Sequence, residues 1–573
     1  MSQLSSINDT CLLDYSPFSR ARHWLSLTVR EESGKPILYL STSRGGVPHR
    51  TLISLAFSDS AAPEVLPEKL TLTTTHGGAE FAFDGERTLR IRVRGQEALR
   101  LQVYSQPYSS SFPCESGRWH LNLNATRARL MVTALSGSIE GHAPFISGKS
   151  DTEPALLLLH PEAGCGEFEI TEFASTWIAP QTRPSFEAVV ESAQADFAQW
   201  LDGFGEFPER WRSLARSAAF NLWSNTMPAG GNYSYAPVMM SQNAMTSVWS
   251  WDHCFVALAL RRSHPRLAWK QWWLPFALQT EEGMLPDAFD DVSVDFGMTK
   301  PPVHGRTLLQ ILPFYTPTPT EVDEAYTALE KWTNWWFAHR DDDHDGIPQY
   351  NHGCESGWDN DSVCCGGLPA ESPDISVYLI EQMEALAVLA ERRGTPELAV
   401  GWRERADKLL EKLIRHSWSG ETFLTMQSGT HHLGNQGDCL RQFWPLLLGK
   451  QLPATISAAQ MAHLLEPGRF RTSYGFASES PLSSHYQADG YWLGPIWAPS
   501  THQVVEMLLK HGQDPLAWQT AEDFCKLCQQ HGFRENFNAL TGEGLRDHGY
   551  AWTAAVCLDF LHNAHQFPSN LKS

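Results

Sequence analysis

Alternation of apolar and polar positions dominates the first third of the chain. Leu25–Val29, Leu70–Thr74, Leu89–Val93, Leu99–Val103 and Leu156–Leu159 are short stretches rich in aliphatic and β-branched residues, and they predict half-buried strands. Turn residues at Gly45-Gly46, Gly77-Gly78, Asp84-Gly85 and Gly164 separate them, so residues 1–183 are expected to form a β-sandwich. The period then changes. Between Ser185 and Trp200 the residues Phe186, Val189, Val190, Ala193, Phe197 and Trp200 recur at helical spacing, which predicts a linker helix within 184–207. From Pro208 onward twelve helical patterns follow, near 208–226, 251–262, 264–280, 305–315, 320–339, 373–394, 396–417, 438–449, 456–465, 495–511, 514–530 and 549–563. Twelve helices make six hairpins. Residues 208–573 are therefore expected to close as an (α/α)6 barrel, giving a mostly α protein with a loop-lined funnel at one end of the toroid.

Composition agrees with two cores, because 573 residues exceed what one hydrophobic core usually serves. The balance of 44 Lys and Arg against 65 Asp and Glu leaves a net charge of −21, with no basic run to neutralise a row of phosphates, and this excludes nucleic acid as an expected partner. The opening Met1–Asp9 carries neither a cationic leader nor an apolar run, and the apolar stretches elsewhere are short and interrupted. No secretory signal or membrane span is expected. Eleven scattered cysteines suit reduced thiols and a cytoplasmic location, and the lone Cys525-Lys526-Leu527-Cys528 pair reads as core packing.

The 22 tryptophans change the picture from fold to function. Indole rings supply flat faces for sugar C–H groups, although many must serve the core. Trp249, Trp251, Trp358, Trp492, Trp497 and Trp552 neighbour polar residues close to the expected helix ends, which places them at the lips of a cleft. The densest chemistry lies in Gly353-Cys354-Glu355-Ser356-Gly357-Trp358-Asp359-Asn360-Asp361. Here Asp359 stands between Trp358, a ring for a pyranose face, and Asn360, an amide for its hydroxyls, as a glycosidic general acid requires. The alternative is a solvated loop.

Four motifs in order carry a resemblance to a known family. Ser250-Trp251-Asp252-His253-Cys254-Phe255 comes first, followed by Glu355–Asn360 and then Tyr491-Trp492-Leu493-Gly494-Pro495-Ile496-Trp497. The fourth joins Glu535-Asn536-Phe537-Asn538 and Thr541-Gly542 to Tyr550-Ala551-Trp552-Thr553. The set resembles glycoside hydrolase family 63 and the related mannosylglycerate hydrolases, with a more distant likeness to family 37 trehalases. The resemblance implies an inverting α-glycosidase on an (α/α)6 barrel behind an N-terminal β domain. It implies Asp359 as general acid and Glu535 as general base, and it places Trp251, Asp252, Tyr491, Trp492 and Trp497 along the sugar subsite. Such a pair needs about 6.5–9.5 Å between carboxyl groups. Gly357 would let the backbone approach the substrate, Asp252 doubles as an N-cap candidate, and Trp552 reads as pocket floor or core.

The departures bear on substrate choice. Leu493 replaces a common Arg, Asp361 a usual Ser, and Lys300 a usual Gln. Lys300 is expected either to meet an anionic substrate or to pair with neighbouring carboxylates. Glu355 and Glu371 read as structural or solvated. The turn Asp341-Asp342-Asp343-His344-Asp345-Gly346 has the oxygen spacing of half a calcium loop, with His352 where the closing Glu would stand. Asp341, Asp343 and Asp345 are thus candidate ligands of a structural calcium, and the chemistry itself requires no cofactor. The expected activity is hydrolysis of a small α-glucoside by an acid/base pair. The alternatives are hydrolysis of an anionic glycoside such as mannosyl- or glucosylglycerate, and carbohydrate binding without catalysis.

Overall fold

The computed structural model describes residues 16–569 apart from 33–34, 46–50, 59–60, 105–106, 147–150, 153 and 434–435, so Met1–Asp9 and Gly46 lie outside the described residues. The contacts divide the chain into two units: Met1–Gly203 with Ala219–Thr246 and Asp290–Val292, and the remainder.

The first unit is built on two antiparallel sheets. One orders Leu25–Glu32, Lys35–Thr42, Thr51–Ala56, Leu99–Val103, Leu156–His160 and Ser138–His142. The other orders Ala62–Leu66, Lys69–Thr74, Gly77–Asp84, Thr88–Gly95, Cys165–Glu172, Ala128–Ser136, Arg118–Leu123 and Ser110–Cys114. The period of two sends Leu38, Leu40, Ile53, Leu55 and Leu101 from the first sheet into the same core as Phe81, Ile91, Leu121, Val132 and Ile170 from the second. Each fully buried side chain of this kind contributes roughly 1.5–3 kcal/mol. Gly77-Gly78, expected as a turn, instead opens a strand: a Cβ there would fall 2.0 Å from the Arg94 carbonyl oxygen or 2.1 Å from that of Leu72. The expected linker helix is α1 (Phe186–Asp202), N-capped by Ser185, and it belongs to this unit because Phe186, Val189 and Phe197 are buried in its hydrophobic clusters.

The twelve helical patterns all form helices, the first of which, α2 (Glu209–Ser224), is divided between the units. They continue as α3 (Asp252–Leu260), α4 (Pro265–Trp273), α5 (His304–Ile311), α6 (Pro319–His339), α7 (Pro373–Arg393) and α8 (Pro396–Ser417). A 3-10 segment, Leu440–Gln451, precedes α9 (Ala454–Leu464), α10 (Ala498–Lys510), α11 (Asp514–His531) and α12 (Ala551–Leu561). Neighbour relations show how they close. α3 packs on α5, α5 on α7, α7 on the 3-10 segment, that segment on α10, α10 on α12, and α12 back on α3. Every residue of α3 and α12 is buried, as an inner ring surrounded by a second ring requires. α4, α6, α8, α9 and α11 each pack outside an inner helix, and α8 exposes one polar face while burying Ala399, Trp402, Ala406, Leu409 and Leu413. The second unit is an (α/α)6 toroid. Cys525 and Cys528 are buried on α11, with Cys525 Sγ 3.9 Å from Cys557 Sγ of α12, consistent with core packing. Among the described residues no helix is long and apolar enough to cross a membrane.

Candidate active site

The residues singled out from the sequence come from loops, from the first turns of α3 and α12, and from the short strands Ile496–Trp497 and Arg534–Phe537. Two short 3-10 turns carry Asp359. Gly353–Ser356 is closed by Gly357, and Ser362–Gly366 is opened by Asp361, whose carboxylate accepts from Val363 N at 3.2 Å. Gly357 has φ +75°, and a Cβ on it would fall 2.6 Å from the Trp251 ring, so glycine is needed both for the turn and for the indole beside it. Asn360 clamps a second loop: its amide donates to Gly490 O at 3.0 Å and accepts from Trp492 N at 3.0 Å. Tyr491, between them, is held at φ +63°, and its carbonyl accepts from Trp497 Nε1 at 2.9 Å.

The tryptophans answer differently from the sequence expectation. Trp251, Trp358, Trp492, Trp497 and Trp552 are all buried, and only Trp249 of the six is half-buried. Trp492 stacks on Trp497 with centroids 4.0 Å apart at 6°, Trp358 stacks on Trp492 at 4.5 Å, and Trp251 and Trp497 meet Trp552 edge-on. Polar neighbours in sequence mark loop backbone, while the rings turn inward and pack on one another as one aromatic cluster.

Those carboxylates form two groups. In the first, Lys300 Nζ donates to Cys354 O at 2.8 Å and lies 3.3 Å from Asp287 Oδ1 and 4.0 Å from Asp359 Oδ1. Asp252 occupies the first turn of α3; the cap position is Trp251, so the N-cap expectation is corrected. Burial raises Asp252 to about 7, with Lys300 opposing and Asp359 and Asp287 adding to the rise. Burial likewise raises Asp359 and Asp287, against the pull of Lys300. Burial alone would lower Lys300, but Asp287, Asp359 and Asp252 together raise it. Its ammonium is therefore engaged by the protein's own acids.

The second group surrounds Glu535, on the strand Arg534–Phe537 between Ile496–Trp497 and Gly544–His548. Arg534 pairs with His548 and Asn536 with Leu545, so a bulge sets Glu535 against Arg546 and Asp547. Burial and then Asp547 push Glu535 up to about 7, against Arg546 and the Tyr491 hydroxyl. Arg546 also pairs with Asp489 at 2.7 Å and lies over the Tyr491 ring. Tyr491 joins the groups: burial raises its pKa first, followed by the fields of Glu535, Asp359 and Asp252.

Sequence reasoning missed Asp287, Asp547, Arg546 and Arg441. Only the alternation of the strand pair could have pointed to Asp547. Arg441 explains Asp361: the guanidinium lies 2.7 Å from Asp361 Oδ2 and 3.1 Å from Asp374 Oδ1, all three side chains being buried. Glu355 is structural, paired with Arg340 at 2.8 Å and accepting from Asn351 N. Glu371 is fully buried, not solvated. One carboxylate oxygen from each of Asp341, Asp343 and Asp345 lies within 4.8 Å of the others.

The family model described as mannosylglycerate hydrolase MGH1-like glycoside hydrolase domain matches residues 245–553. Mannosylglycerate hydrolase MGH1 of Selaginella moellendorffii is 24% identical over 413 residues, 59% of this chain and 82% of the relative. The glucosylglycerate hydrolase of Mycolicibacterium hassiacum is 24% identical over 447 residues, 61% and 97% respectively. In fold, the chain is similar to the GH63 mannosylglycerate hydrolase from Thermus thermophilus in complex with Tris and D-glycerate, with TM-score 0.52, 20% identity and coverage of 60% of this chain and 99% of that one. A bacterial glucoamylase complexed with acarbose aligns over 100% of this chain and 98% of its own, with TM-score 0.66 at 11% identity.

Proposed function

Because the chain belongs to the mannosylglycerate hydrolase MGH1-like glycoside hydrolase family, we propose that it hydrolyses an α-linked glycosylglycerate, with Asp359 as general acid and Glu535 as general base. Asp359, its carboxyl held protonated more readily by burial, donates to the glycosidic oxygen. Glu535, when ionised, takes a proton from water, which attacks the anomeric carbon from the opposite face and inverts it. Asp252 accepts from sugar hydroxyls, and the Trp251, Trp492 and Trp497 cluster keeps the ring from tilting. The observation that supports the reading is geometric: Asn360, next to Asp359, bonds Gly490 and Trp492 on either side of Tyr491, and the Tyr491 ring lies under Arg546 of the strand paired with that of Glu535.

The glycerate end follows from the relatives' names, mannosylglycerate and glucosylglycerate hydrolases, and moves the preferred substrate from a neutral α-glucoside to an anionic one. Lys300 is buried against the buried Asp287, whereas Arg546 is 27% exposed and its partner Asp489 faces solvent, so Arg546 is the cation assigned to the carboxylate. The second reading, a neutral α-glucoside, draws on that acid-rich setting of Lys300. Turnover of mannosylglycerate, glucosylglycerate and methyl α-glucoside by the parent and Arg546→Met separates them. Selective loss on the two glycerates supports the proposal; preference of the parent for the methyl glucoside overturns it.

A further inference from the structure

The acidic turn after α6 lacks a closing glutamate in sequence, but the fold brings other groups to it. Asp345 Oδ2 lies 3.7 Å from His416 Nδ1 and 3.6 Å from His431 Nε2. His416 stands in the last turn of α8, and His431 follows the short strand Met426–Gln427. That strand pairs with Ala370–Glu371. Glu371 completes the cluster, its Oε2 2.7 Å from His416 Nε2 and 3.9 Å from His431 Nε2. The two imidazoles cross at 89° with centroids 4.9 Å apart, and one ligand atom from each of Asp345, Glu371, His416 and His431 falls within 4.8 Å of the others.

Glu371 carries the argument beyond an acidic cluster. Its side chain is 0% exposed, and neither oxygen accepts a hydrogen bond; His416 Nε2, despite its proximity, has no aligned partner either. A buried carboxylate without a donor is costly, and a cation bound among these four groups removes that cost. Asp343, which accepts from Gly429 N at 2.9 Å, places Oδ2 2.9 Å from His431 Nε2, the nitrogen that also faces Asp345 and Glu371, so an ion bound there takes the place of that hydrogen bond. Ligand type selects the ion. Calcium takes oxygen donors, whereas two imidazoles with two carboxylates suit zinc or another late first-row divalent metal. Four ligands at 2.0–2.1 Å in a tetrahedron stand roughly 3.3 Å apart, close to the 3.6 and 3.9 Å separations of Asp345 Oδ2 and Glu371 Oε2 from one nitrogen, His431 Nε2.

We propose that Asp345, Glu371, His416 and His431 form a structural site for zinc or a similar divalent transition metal, clipping the acidic turn to the end of α8 and to the two-stranded sheet. The ion takes no part in glycoside cleavage. Metal-stripped, tag-free full-length protein titrated with Zn2+ by calorimetry, and with Co2+ by visible absorption, tests it. The parent is expected to bind one equivalent, with Co2+ giving ligand-field bands of a nitrogen-containing site. His431→Ala, whose ring is 45% exposed and whose loss leaves the core intact, and Glu371→Gln should each weaken binding by about tenfold or more. No stoichiometric Zn2+ binding, binding unchanged in His431→Ala, or tighter binding of Ca2+ than of Zn2+ would each overturn the proposal. Should Glu371→Gln fail to fold, His431→Ala decides alone.

Discussion

Adding one methyl group at Gly357 should damage the active site more than the fold. In Gly357→Ala the new Cβ falls 2.6 Å from Trp251 Cε2 and Cζ2, so the indole must retreat by roughly 1 Å to reach the ordinary contact range of 3.4–4 Å. Phe255, Trp492 and Trp552 pack around that ring and resist the retreat. The left-handed backbone adds about 1–2 kcal/mol for a non-glycine residue, and overpacking about 1–3 kcal/mol. A total of about 2–5 kcal/mol follows. A 1 Å misplacement of substrate-positioning groups can cost about a hundredfold in rate, and kcat/KM should fall by that order. Gly394→Ala is the control: that residue has φ +78° at the end of α7 but open space around a Cβ, so it incurs the backbone cost alone. Thermal unfolding and kcat/KM of both variants provide the assay. Equal behaviour of the two, with activity retained in each, would refute the contact argument.

Three further perturbations follow from the charges. Asp547→Asn removes the like charge that helps raise Glu535, so the acidic limb of the kcat/KM profile, near pH 7 in the parent, should move to lower pH; an unmoved limb separates it from Glu535. Because the folded pKa of Glu535, about 7, lies above its unfolded value, the native state binds the extra proton, and the group's relative stabilisation is lost as pH rises through about 7. Glu535→Gln should therefore raise the melting temperature at pH 8 while abolishing turnover, and a lowered melting temperature at that pH would contradict the sign. Arg441→Met leaves the buried Asp361 and Asp374 without their cation, an expected loss of about 3–5 kcal/mol in denaturant unfolding; a change below about 1 kcal/mol would show that the triad is not a stabilising unit.

The helical half was readable because burial of whole faces imposes the 3.6 period, and the ring closure of α12 on α3 then follows from six hairpins with no internal repeat to announce it. Asp359 and Glu535 were readable as candidates because their short motifs combine an acid with aromatic and amide neighbours. Their partners were not. Arg441 lies 80 positions from Asp361, and a bulge no local pattern announces sets Asp547 opposite Glu535. Five of the six tryptophans departed in the opposite way, since polar neighbours describe the loop backbone and say nothing of where a ring points. Glu371, buried beside His416 and His431, was invisible as a ligand because three separate elements meet there.

Proton NMR of freshly mixed enzyme with α-mannosylglycerate or α-glucosylglycerate tests the acid/base assignment most directly. Glycerate should be released with the β-anomer of the sugar appearing first, and Glu535→Gln should release none. The α-anomer appearing first, or near-parent turnover by Glu535→Gln, would contradict the assignment.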